Sequence, residues 1–398
     1  MKLVVMAAGK GSRMYPLSQT VPKPLLKVAG KTLVEHNIDP IYTHFDEIIF
    51  IVKYKHEMFR EYFGNIWNDE VPIKYIIQET APGTGGAILA LKGHISGEFV
   101  VISGDDLYDS EDILRLSKNN GYATLCKPVK NPEEYGIFYT DENGKAKGIV
   151  EKPTDTKYGN LASIGSHKFD DAIFEELEQI PLSPRGELEI TDLIDIYIQQ
   201  GKYHVITAEG RWIPAGYPWN LLDICGEIVG NFENTIDRGA DIEPNVYMHG
   251  DVYLDEGVIL KSGTYIEGNV YIGKNSVIGP NVSIRGNTSI GKNCLIRQGN
   301  EIKNSVISDN TNISHLCYVG DSVLGNHVKI GGGTKTANWR HDDAHIKVKV
   351  KGELIDTGRR KMGAIIGDNT HTGINTSIYP GRILPNDSTT LPGENVQK

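Results

Sequence analysis

An apolar residue recurs at every sixth position through much of the second half of the chain. Twelve consecutive positions follow this period: Ile236, Ile242, Met248, Leu254, Leu260, Ile266, Ile272, Ile278, Ile284, Ile290, Ile296 and Ile302. The period matches neither a helix, at about 3.6 residues, nor an amphipathic strand, at about 2. It predicts a parallel β-helix in which three hexads form one triangular coil, each contributing an inward side chain.

The phase of the hexads shifts once, resuming at Ile307, and the period returns at Ile366. Gly and Asn between the hexad positions suit the tight or left-handed backbone of coil corners. Residues 334–363 break the period and contain "HIKVKVKGEL", which predicts a protruding hairpin with one basic face. A solvated surface strand and an anion-binding arm are equally good interpretations of that face.

The first half, to about residue 225, alternates strand-like apolar runs with helical stretches. Examples of these runs are "KLVVMAA", "EIIFIVK" and "EFVVISGD". They predict a largely parallel sheet of Rossmann-like α/β type over residues 1–225, followed by the β-helix domain over residues 226–398. Ligands of such sheets lie at the carboxyl ends of the strands, where Gly9 to Arg13 and Ser103 to Asp106 are expected.

Composition excludes several classes of protein. The formal net charge of −10 disfavours nucleic acid as a partner, and no apolar run is long enough to span a membrane. The four cysteines form no CxxC pair, which disfavours a structural zinc site or a disulfide framework. Because the N-terminal apolar run is too short for a signal peptide, we expect a cytoplasmic protein.

The loop "MAAGKGSRMYPLSQTVPKPLL" has the residues of an anion cradle, with two glycines followed by Arg13 and Lys23. It lacks the glycine spacing of a P-loop or of a dinucleotide-binding turn. The whole stretch resembles the signature of the sugar-1-phosphate nucleotidylyltransferases, with Ser12 where that family usually has Thr. The resemblance continues through "IIQETAPGTGGAI", "SGDD", "EYGIF" and "VEKP" in family order.

That resemblance implies attack of a sugar-1-phosphate on the α-phosphorus of UTP or dTTP, with Arg13, Lys23 and an Asp105-bound Mg²⁺ as the catalytic groups. It implies nucleotide-binding roles for Ala8, Gly9, Gly11, Ser12, Gln78, Gly83 and Thr84. It implies sugar-phosphate-binding roles for Gly136, Glu151, Lys152 and Ser163. Two positions depart from the family pattern: Pro214 stands where relatives often have a second metal-binding Asp, and Ser163 where they often have Asn.

The hexads, with "NISHLCYVGDS" and "IGGGTKTANWRHD", resemble the acetyltransferase half of bifunctional N-acetylglucosamine-1-phosphate uridyltransferases, and archaeal-type members in particular. The resemblance implies a left-handed β-helix, a homotrimer, acetyl-CoA as co-substrate and His315 as general base. It implies that the acetyl acceptor is bound by Arg285, Lys303, Tyr318 and Asn338, and makes Lys361 and Lys329 candidates for binding acetyl-CoA. Cys317, two residues after His315, is expected to pack in the core.

Three functions compete on these observations. The first is a bifunctional enzyme that acetylates glucosamine- or galactosamine-1-phosphate and joins an N-acetylhexosamine-1-phosphate, such as N-acetylglucosamine-1-phosphate, to a nucleotide. The second is a glucose-1-phosphate nucleotidylyltransferase whose β-helix serves assembly. The third is a sugar-sensing subunit with a decayed nucleotidyl site, for which Pro214 is the argument. The joint presence of His315, Arg285 and Lys303 favours the first.

Overall fold

The computed structural model describes residues 1–79, 82–142 and 144–397. Thr80 and Ala81, in the predicted base-binding segment, lie outside the described residues. The chain forms two compact units: an α/β unit of Met1–Lys10 and Val34–Trp212, and a β-helix unit of Gly11–Leu33 and the residues from Ile213 onward. This division differs from the predicted boundary at residue 225, because residues 11–33 and 213–225 belong to the same compact unit as the β-helix.

Up to Gly230 the strands are β1 (Lys2–Ala7), β2 (Lys27–Val28), β3 (Lys31–Thr32), β4 (Glu47–Val52), β5 (Ile66–Trp67), β6 (Val71–Ile77), β7 (Phe99–Ser103), β8 (Asp106–Tyr108), β9 (Tyr122–Pro128), β10 (Gly136–Thr140), β11 (Ala146–Glu151), β12 (Leu161–Phe169), β13 (Tyr203–Thr207) and β14 (Trp212–Pro214). The α-helices are α1 (Leu33–Ile38), α2 (Glu57–Phe63), α3 (Thr84–Leu89), α4 (Ser110–Ser117), α5 (Ile173–Leu177), α6 (Ile190–Gln199) and α7 (Asn220–Gly230).

The α/β unit is built on a mixed sheet whose centre is parallel, in the order β7, β1, β4, β6. The central strands are apolar along most of their length because the sheet is covered on both faces; Val4, Ile49 and Val101 are completely buried. Strands β9 to β12 extend the sheet beyond β7, with β12 antiparallel to it. The predicted α/β fold is confirmed, but the sheet as a whole is mixed rather than largely parallel.

After Gly230 the chain forms short strands: β15 (Thr235–Ile236), β16 (Asp241–Ile242), β17 (Tyr247–His249), β18 (Val252–Leu254), β19 (Ile259–Leu260), β20 (Tyr265–Glu267), β21 (Val270–Ile272), β22 (Val277–Ile278), β23 (Ser283–Arg285), β24 (Thr288–Ile290), β25 (Leu295–Ile296), β26 (Glu301–Lys303), β27 (Val306–Ile307), β28 (Asn312–Ile313), β29 (Tyr318–Gly320), β30 (Val323–Leu324), β31 (Lys329–Ile330), β32 (Lys335–Thr336), β33 (Lys347–Val350), β34 (Glu353–Asp356), β35 (Ile365–Ile366), β36 (Ser377–Ile378), β37 (Ile383–Leu384) and β38 (Asn395–Val396).

These strands stack into three parallel sheets, the three faces of a β-helix. The first face is β15, β18, β21, β24, β27, β30, β35 and β37; the second is β16, β19, β22, β25, β28 and β31; the third is β17, β20, β23, β26, β29, β32, β36 and β38. The hexad residues from Leu254 to Ile302 point inward and are completely buried. The β-helix predicted from the period is therefore confirmed.

The shift in hexad phase has a simple cause, which is two successive shortened coils. Val270 pairs with Thr288, eighteen residues later, whereas Ser289 pairs with Val306 and Val306 with Val323, each seventeen residues later. Corner residues such as Asn275, Asn293 and Asn310 have φ of 59°, 55° and 60°. Asn is among the few non-glycine residues that tolerate this left-handed conformation.

The interruption of the period contains the predicted hairpin. Strands β33 and β34 pair antiparallel, with Lys347 opposite Asp356 and Lys349 opposite Leu354. Val348 is completely buried whereas Lys347 and Lys349 are exposed, so the hairpin has one apolar and one basic face. Anion binding by the basic face remains a prediction.

The first face of the β-helix is covered by other parts of its own unit. Its outward residues Val306, Val323 and Ile365 are at most 1% exposed. Helix α7 packs against β24 and β27, and β2 packs on α7. None of the helices in the described part of the chain has the length and apolar character that crossing a bilayer requires.

Candidate active sites

The predicted metal residue lies at the carboxyl edge of the α/β sheet. Strands β1 and β7 run side by side, with Met6 beside Ser103, and the Gly104 amide donates to the Met6 carbonyl at 2.9 Å. The loops that begin at Ala8 and Gly104 therefore leave the sheet together, which brings Gly9 and Asp105 to the same edge. The Ser103 hydroxyl donates to Oδ1 of Asp105, which fixes one oxygen of that carboxylate.

The residues at this edge fit a magnesium ion. Asp105 and Asp106 offer hard oxygen donors, although Asp106 also accepts a hydrogen bond from the Trp212 indole at 3.1 Å. Within the described residues no cluster of three or more His, Cys, Asp or Glu side chains could enclose a metal. Mg²⁺ needs only one or two carboxylates when phosphates and water complete its shell, so a site based on Asp105 is chemically sufficient. Pro214, in β14, offers no side-chain ligand.

The predicted base-binding residues lie after the carboxyl end of β6, in the same sheet, and at the start of α3. Gln78 directly follows β6, is 6% exposed and donates from Nε2 to the Gly83 carbonyl at 3.4 Å. Gly83 has φ 102°, and a Cβ there would lie 2.5 Å from the Leu188 carbonyl oxygen. Only glycine fits this position. Thr84 begins α3 and its hydroxyl accepts from the Ile190 amide at 3.3 Å.

We predict that Gly83→Ala raises the KM for the nucleoside triphosphate by about tenfold or more. The added methyl group must displace either the Leu188 carbonyl or the turn that Gln78 contacts, and small displacements of binding groups cost large factors. Steady-state kinetics measure the effect. Gly121→Ala is the matched control, since Gly121 also has positive φ but nothing lies within 4 Å of an added Cβ. Equal KM values for both variants would contradict the prediction.

The predicted sugar-binding residues meet where β10 pairs with β11. Gly136 lies opposite Glu151, and a Cβ on Gly136 would lie 3.1 Å from Glu151 Oε2. Lys152 follows Glu151 with φ 47°, and its ammonium lies 3.4 Å from Glu151 Oε1. Ser163 is on β12, opposite Cys126. The positive φ of Lys152 is unusual for a long side chain and marks a backbone held by its surroundings.

Arg185 is a residue of this region that sequence reasoning missed. Its guanidinium lies 3.3 Å from Glu151 and 2.7 Å from Glu189. Glu189 is 4% exposed. Arg185 is therefore held by a buried carboxylate, and its guanidinium also contacts Glu151, the predicted sugar-binding carboxylate. The sequence "PRGELE" reads as an ordinary charged loop, and only the fold brings it to Glu151.

The two predicted catalytic cations belong to the β-helix unit. Gly11 has φ 59°, and a Cβ there would lie 3.0 Å from the Lys23 Cβ, so the loop folds closely on itself. Lys23 is 7% exposed. The Arg13 guanidinium lies 5.2 Å from the centre of the Tyr217 ring, a cation–π contact. Ser12 begins the one-turn 3₁₀ helix that contains Arg13.

On the third face of the β-helix the predicted phosphate-binding pair is stacked. Arg285 on β23 pairs directly with Lys303 on β26, as the eighteen-residue spacing predicted. Arg285 also forms a hydrogen-bonded ion pair with Glu301, with Nε at 2.8 Å from Oε1. Lys303 is largely buried and lies 3.4 Å from Asp321. Two adjacent guanidinium and ammonium groups form a site suited to a phosphate.

Asp321 organises the remaining acceptor-binding residues and was not anticipated from sequence. Asn338 Nδ2 donates to Asp321 and, at 3.0 Å, to the Tyr318 hydroxyl oxygen. Burial raises the pKa of Tyr318, so its hydroxyl stays protonated and can donate to a ligand. Asp321 thus joins Lys303, Asn338 and, through Asn338, Tyr318 in one polar network.

His315 lies at the corner between β28 and β29, where its side chain is exposed. Its carbonyl accepts from the Gly333 amide at 2.9 Å, which ties this corner to the next coil. Cys317 is 2% exposed, and burial raises the pKa of its thiol. A buried thiol is a poor nucleophile, which agrees with the expected packing role.

A cavity of about 620 Å³ lies beside the third face, between the strands and the insertion. Its lining combines two aromatic rings, Trp339 and Tyr379, with the cations Lys335, Lys347 and Arg382. Of the two candidates for binding acetyl-CoA, Lys361 lies over the Trp339 ring, 5.1 Å from its centre. Lys329 is on β31, in the second face, and pairs with His371.

Two family models match the chain: nucleotidyl transferase over residues 2–228, and GMPPB C-terminal domain over residues 266–396. A Bacillus anthracis crystal structure, provisionally assigned as a glucose-1-phosphate thymidylyltransferase, has a TM-score of 0.51 and 27% identity. It covers 56% of this chain and 93% of its own. The nucleotidyl transferase model covers the α/β half of the chain, and the GMPPB C-terminal domain model covers most of the β-helix.

Several relatives match almost the entire chain, and two of them represent the group. The Methanocaldococcus jannaschii protein named bifunctional protein GlmU is 40% identical over 96% of this chain and 91% of its own length. The Sulfurisphaera tokodaii protein named bifunctional sugar-1-phosphate nucleotidylyltransferase/acetyltransferase is 38% identical over 96% of this chain and 93% of its own length. This chain therefore belongs to the GlmU-type family of bifunctional nucleotidyl- and acetyltransferases.

Proposed function

We propose that the enzyme acetylates an amino-sugar 1-phosphate, glucosamine- or galactosamine-1-phosphate, on the β-helix. It then transfers a uridylyl or thymidylyl group to the N-acetylated product. The observation that carries this proposal is the stacked pair of Arg285 and Lys303. The two side chains provide a phosphate site on the same β-helix face as Tyr318, which follows His315 by three residues. A β-helix used only for assembly has no need of such a site.

In the nucleotidyl reaction a phosphate oxygen of the sugar-1-phosphate forms a bond to the α-phosphorus of UTP or dTTP. The bond from that phosphorus to the bridging oxygen breaks, and pyrophosphate leaves. Asp105 would hold Mg²⁺, which neutralises phosphate charge when bound. Arg13 and Lys23 stabilise the negative charge of the transferring group. Glu151 accepts hydrogen bonds from sugar hydroxyls, and Lys152 faces the sugar phosphate.

In the acetyl reaction the amine nitrogen bonds to the thioester carbonyl carbon, the carbon–sulfur bond breaks, and CoA leaves. His315 removes a proton from the amine, and that proton is then available to the departing thiolate. Tyr318 and Asn338 orient the sugar. The position of His315 at a coil corner suits this task, since the side chain reaches outward while its backbone is fixed by Gly333.

Acetyl-CoA carries an adenine ring and phosphates, and we place its nucleotide end in the cavity beside the third face. Trp339 and Tyr379 offer flat surfaces for the base, while Lys335, Lys347 and Arg382 offer positive charge for phosphates. The Lys361 ammonium lies over the Trp339 ring and can add to that positive charge. Lys329 lies on the second face of the β-helix rather than the third, so we expect it to contribute less to acetyl-CoA binding.

Trp339→Ala is expected to raise the KM for acetyl-CoA about tenfold and to change kcat by less than about threefold, since one base–aromatic stack contributes roughly 1–3 kcal/mol. Trp339 is 57% exposed, so its removal leaves the core intact. Initial rates of CoA release measure the change. Tyr247→Ala, at an equally exposed aromatic position on β17, serves as control. A kcat effect without a KM effect would contradict this placement.

We also propose that the β-helix assembles as a homotrimer. The first face is covered by α7 and residues 11–33, which leaves the second and third faces for direct contacts between the β-helices of neighbouring copies. Analytical ultracentrifugation of the full chain tests this, with a mass of about three times 43.9 kDa expected. A monomer at assay concentration would overturn it.

One assay panel tests the proposed function as a whole. Pyrophosphate release is measured with Mg²⁺, UTP or dTTP, and N-acetylglucosamine-1-phosphate or glucose-1-phosphate. CoA release is measured from acetyl-CoA with glucosamine- or galactosamine-1-phosphate. Both releases are expected. Pyrophosphate alone would favour the nucleotidylyltransferase with an assembly β-helix, and CoA alone would favour a nucleotidyl site disabled at Pro214.

A further inference from the structure

The segment Gly11–Leu33 carries Arg13 and Lys23, and it belongs to the compact unit of the β-helix. Its contacts there are polar and specific. They come from residues that follow or belong to the strands of the first face, over several coils. Segments of this length have considerable conformational entropy unless such contacts restrain them.

One group of contacts is made by residues that precede Lys23 in the sequence. The Thr20 hydroxyl donates to Asp368 Oδ2 at 2.6 Å. Asn386 Nδ2 donates to the Pro16 carbonyl at 3.0 Å and to the Gln19 side-chain oxygen at 3.2 Å. Each acceptor or donor on the β-helix is a corner residue that follows β35 or β37.

Asp368 and Asn386 are themselves fixed. Asp368 is 6% exposed, and its Oδ1 accepts from the Asn326 amide at 2.7 Å. The Asp368 amide donates to Asn386 Oδ1 at 2.7 Å. The two side chains therefore form a rigid ladder along one corner of the β-helix, and the loop is bonded to the outer side of that ladder.

A second group of contacts follows Lys23. The Ala29 amide donates to the Ser289 hydroxyl at 2.8 Å, in a buried position. Lys27 lies 3.7 Å from Asp309. Gly30 packs so closely that a Cβ there would lie 2.2 Å from the Tyr271 hydroxyl oxygen. The β-helix thus restrains the segment on both sides of Lys23.

We propose that Asp368 and Asn386 are positioning residues for nucleotidyl transfer. The proposal rests on the function proposed above, in which Arg13 and Lys23 act on the triphosphate. Electrostatic stabilisation of a transferring phosphoryl group depends on preorganised charges, and displacement by about 1 Å costs up to about 100-fold in rate. The β-helix then fixes the conformation of the segment that carries the two cations.

The test removes the hydrogen bonds between the segment and the β-helix, once from the segment and once from the β-helix. The bond between Asp368 and Asn386 is kept in both variants. Thr20→Val deletes the hydroxyl that reaches Asp368. Asn386→Asp deletes both donors to the loop but keeps the oxygen that accepts from the Asp368 amide. Each variant of the full-length enzyme is expected to show a kcat for pyrophosphate release lowered about tenfold, with the CoA-release rate and the melting temperature unchanged. Thr20→Ser, which keeps the hydroxyl, is expected to retain wild-type kcat.

Asn293→Asp is the matched control, because Asn293 is also a corner residue and its side-chain Nδ2 donates to Asn310 Oδ1, at 3.1 Å, on the β-helix itself. The proposal is overturned if Asn293→Asp lowers kcat as much as Asn386→Asp, or if neither Thr20→Val nor Asn386→Asp lowers it. Arg13→Ala and Lys23→Ala distinguish failure of the proposed catalytic role of the cations from failure of the positioning role alone. If they leave pyrophosphate release unchanged, the assigned role of the cations fails, and the positioning role fails with it.

Discussion

Replacing His315 with alanine is expected to lower the rate of CoA release about 1,000-fold and to leave pyrophosphate release unchanged. A positioned general base contributes roughly 10²–10⁴-fold, and within the proposed acetyl site His315 is the side chain suited to take the proton. The loss is expected in kcat, because our proposal assigns acceptor binding to Arg285, Lys303 and Tyr318 rather than to the imidazole. Rates with acetyl-CoA and glucosamine-1-phosphate measure it.

The coil is expected to survive this substitution. His315 is exposed, and it is its carbonyl that bonds to Gly333, so alanine removes only the outward side chain. His249→Ala is the control, since His249 is exposed on β17 of the same β-helix. A His315→Ala enzyme that keeps more than about a tenth of wild-type kcat would exclude the imidazole as the base. Loss of both activities together would indicate a folding defect instead.

The β-helix could be predicted from sequence because its information is local. Each coil needs one inward apolar side chain per hexad and a corner residue that tolerates positive φ, and both are visible in a short window. The stacking of Arg285 on Lys303 followed from the same period. The first shortened coil was visible as a phase shift, whereas the contact between Asp321 and Lys303 was not anticipated.

The parts that could not be predicted depend on contacts between residues far apart in sequence. Thr20 and Asp368 are separated by 348 residues, and Pro16 and Asn386 by 370. No periodicity encodes such bonds, because each is a single polar pair on an otherwise ordinary loop. The attachment of Gly11–Leu33 to the β-helix was missed for this reason. Arg185 was missed for a similar one, since its link to Glu151 exists only in the folded α/β unit.

Replacing Asp105 with asparagine is expected to lower pyrophosphate release about 1,000-fold while CoA release stays at the wild-type rate. Asparagine keeps the oxygen that accepts from Ser103 but removes the negative charge that would hold Mg²⁺. Metal-ion stabilisation of a transferring phosphoryl group is worth several kcal/mol, and about 4 kcal/mol corresponds to 1,000-fold. A titration of rate against Mg²⁺ concentration should also show a raised half-saturating concentration.

The neighbouring carboxylate provides the sharpest control for this experiment. Asp106 accepts from the Trp212 indole at 3.1 Å, and Asp106→Asn keeps an oxygen for that bond while removing the same charge from the same loop. If charge at the sheet edge acts through a metal on Asp105, Asp106→Asn should cost less than about tenfold. Equal losses would mean that the two carboxylates share the ion, so that Asp106 takes the part of the second ligand that Pro214 cannot provide. If Asp105→Asn left pyrophosphate release unchanged, the proposed metal site at the carboxyl edge of the α/β sheet would be excluded from the mechanism.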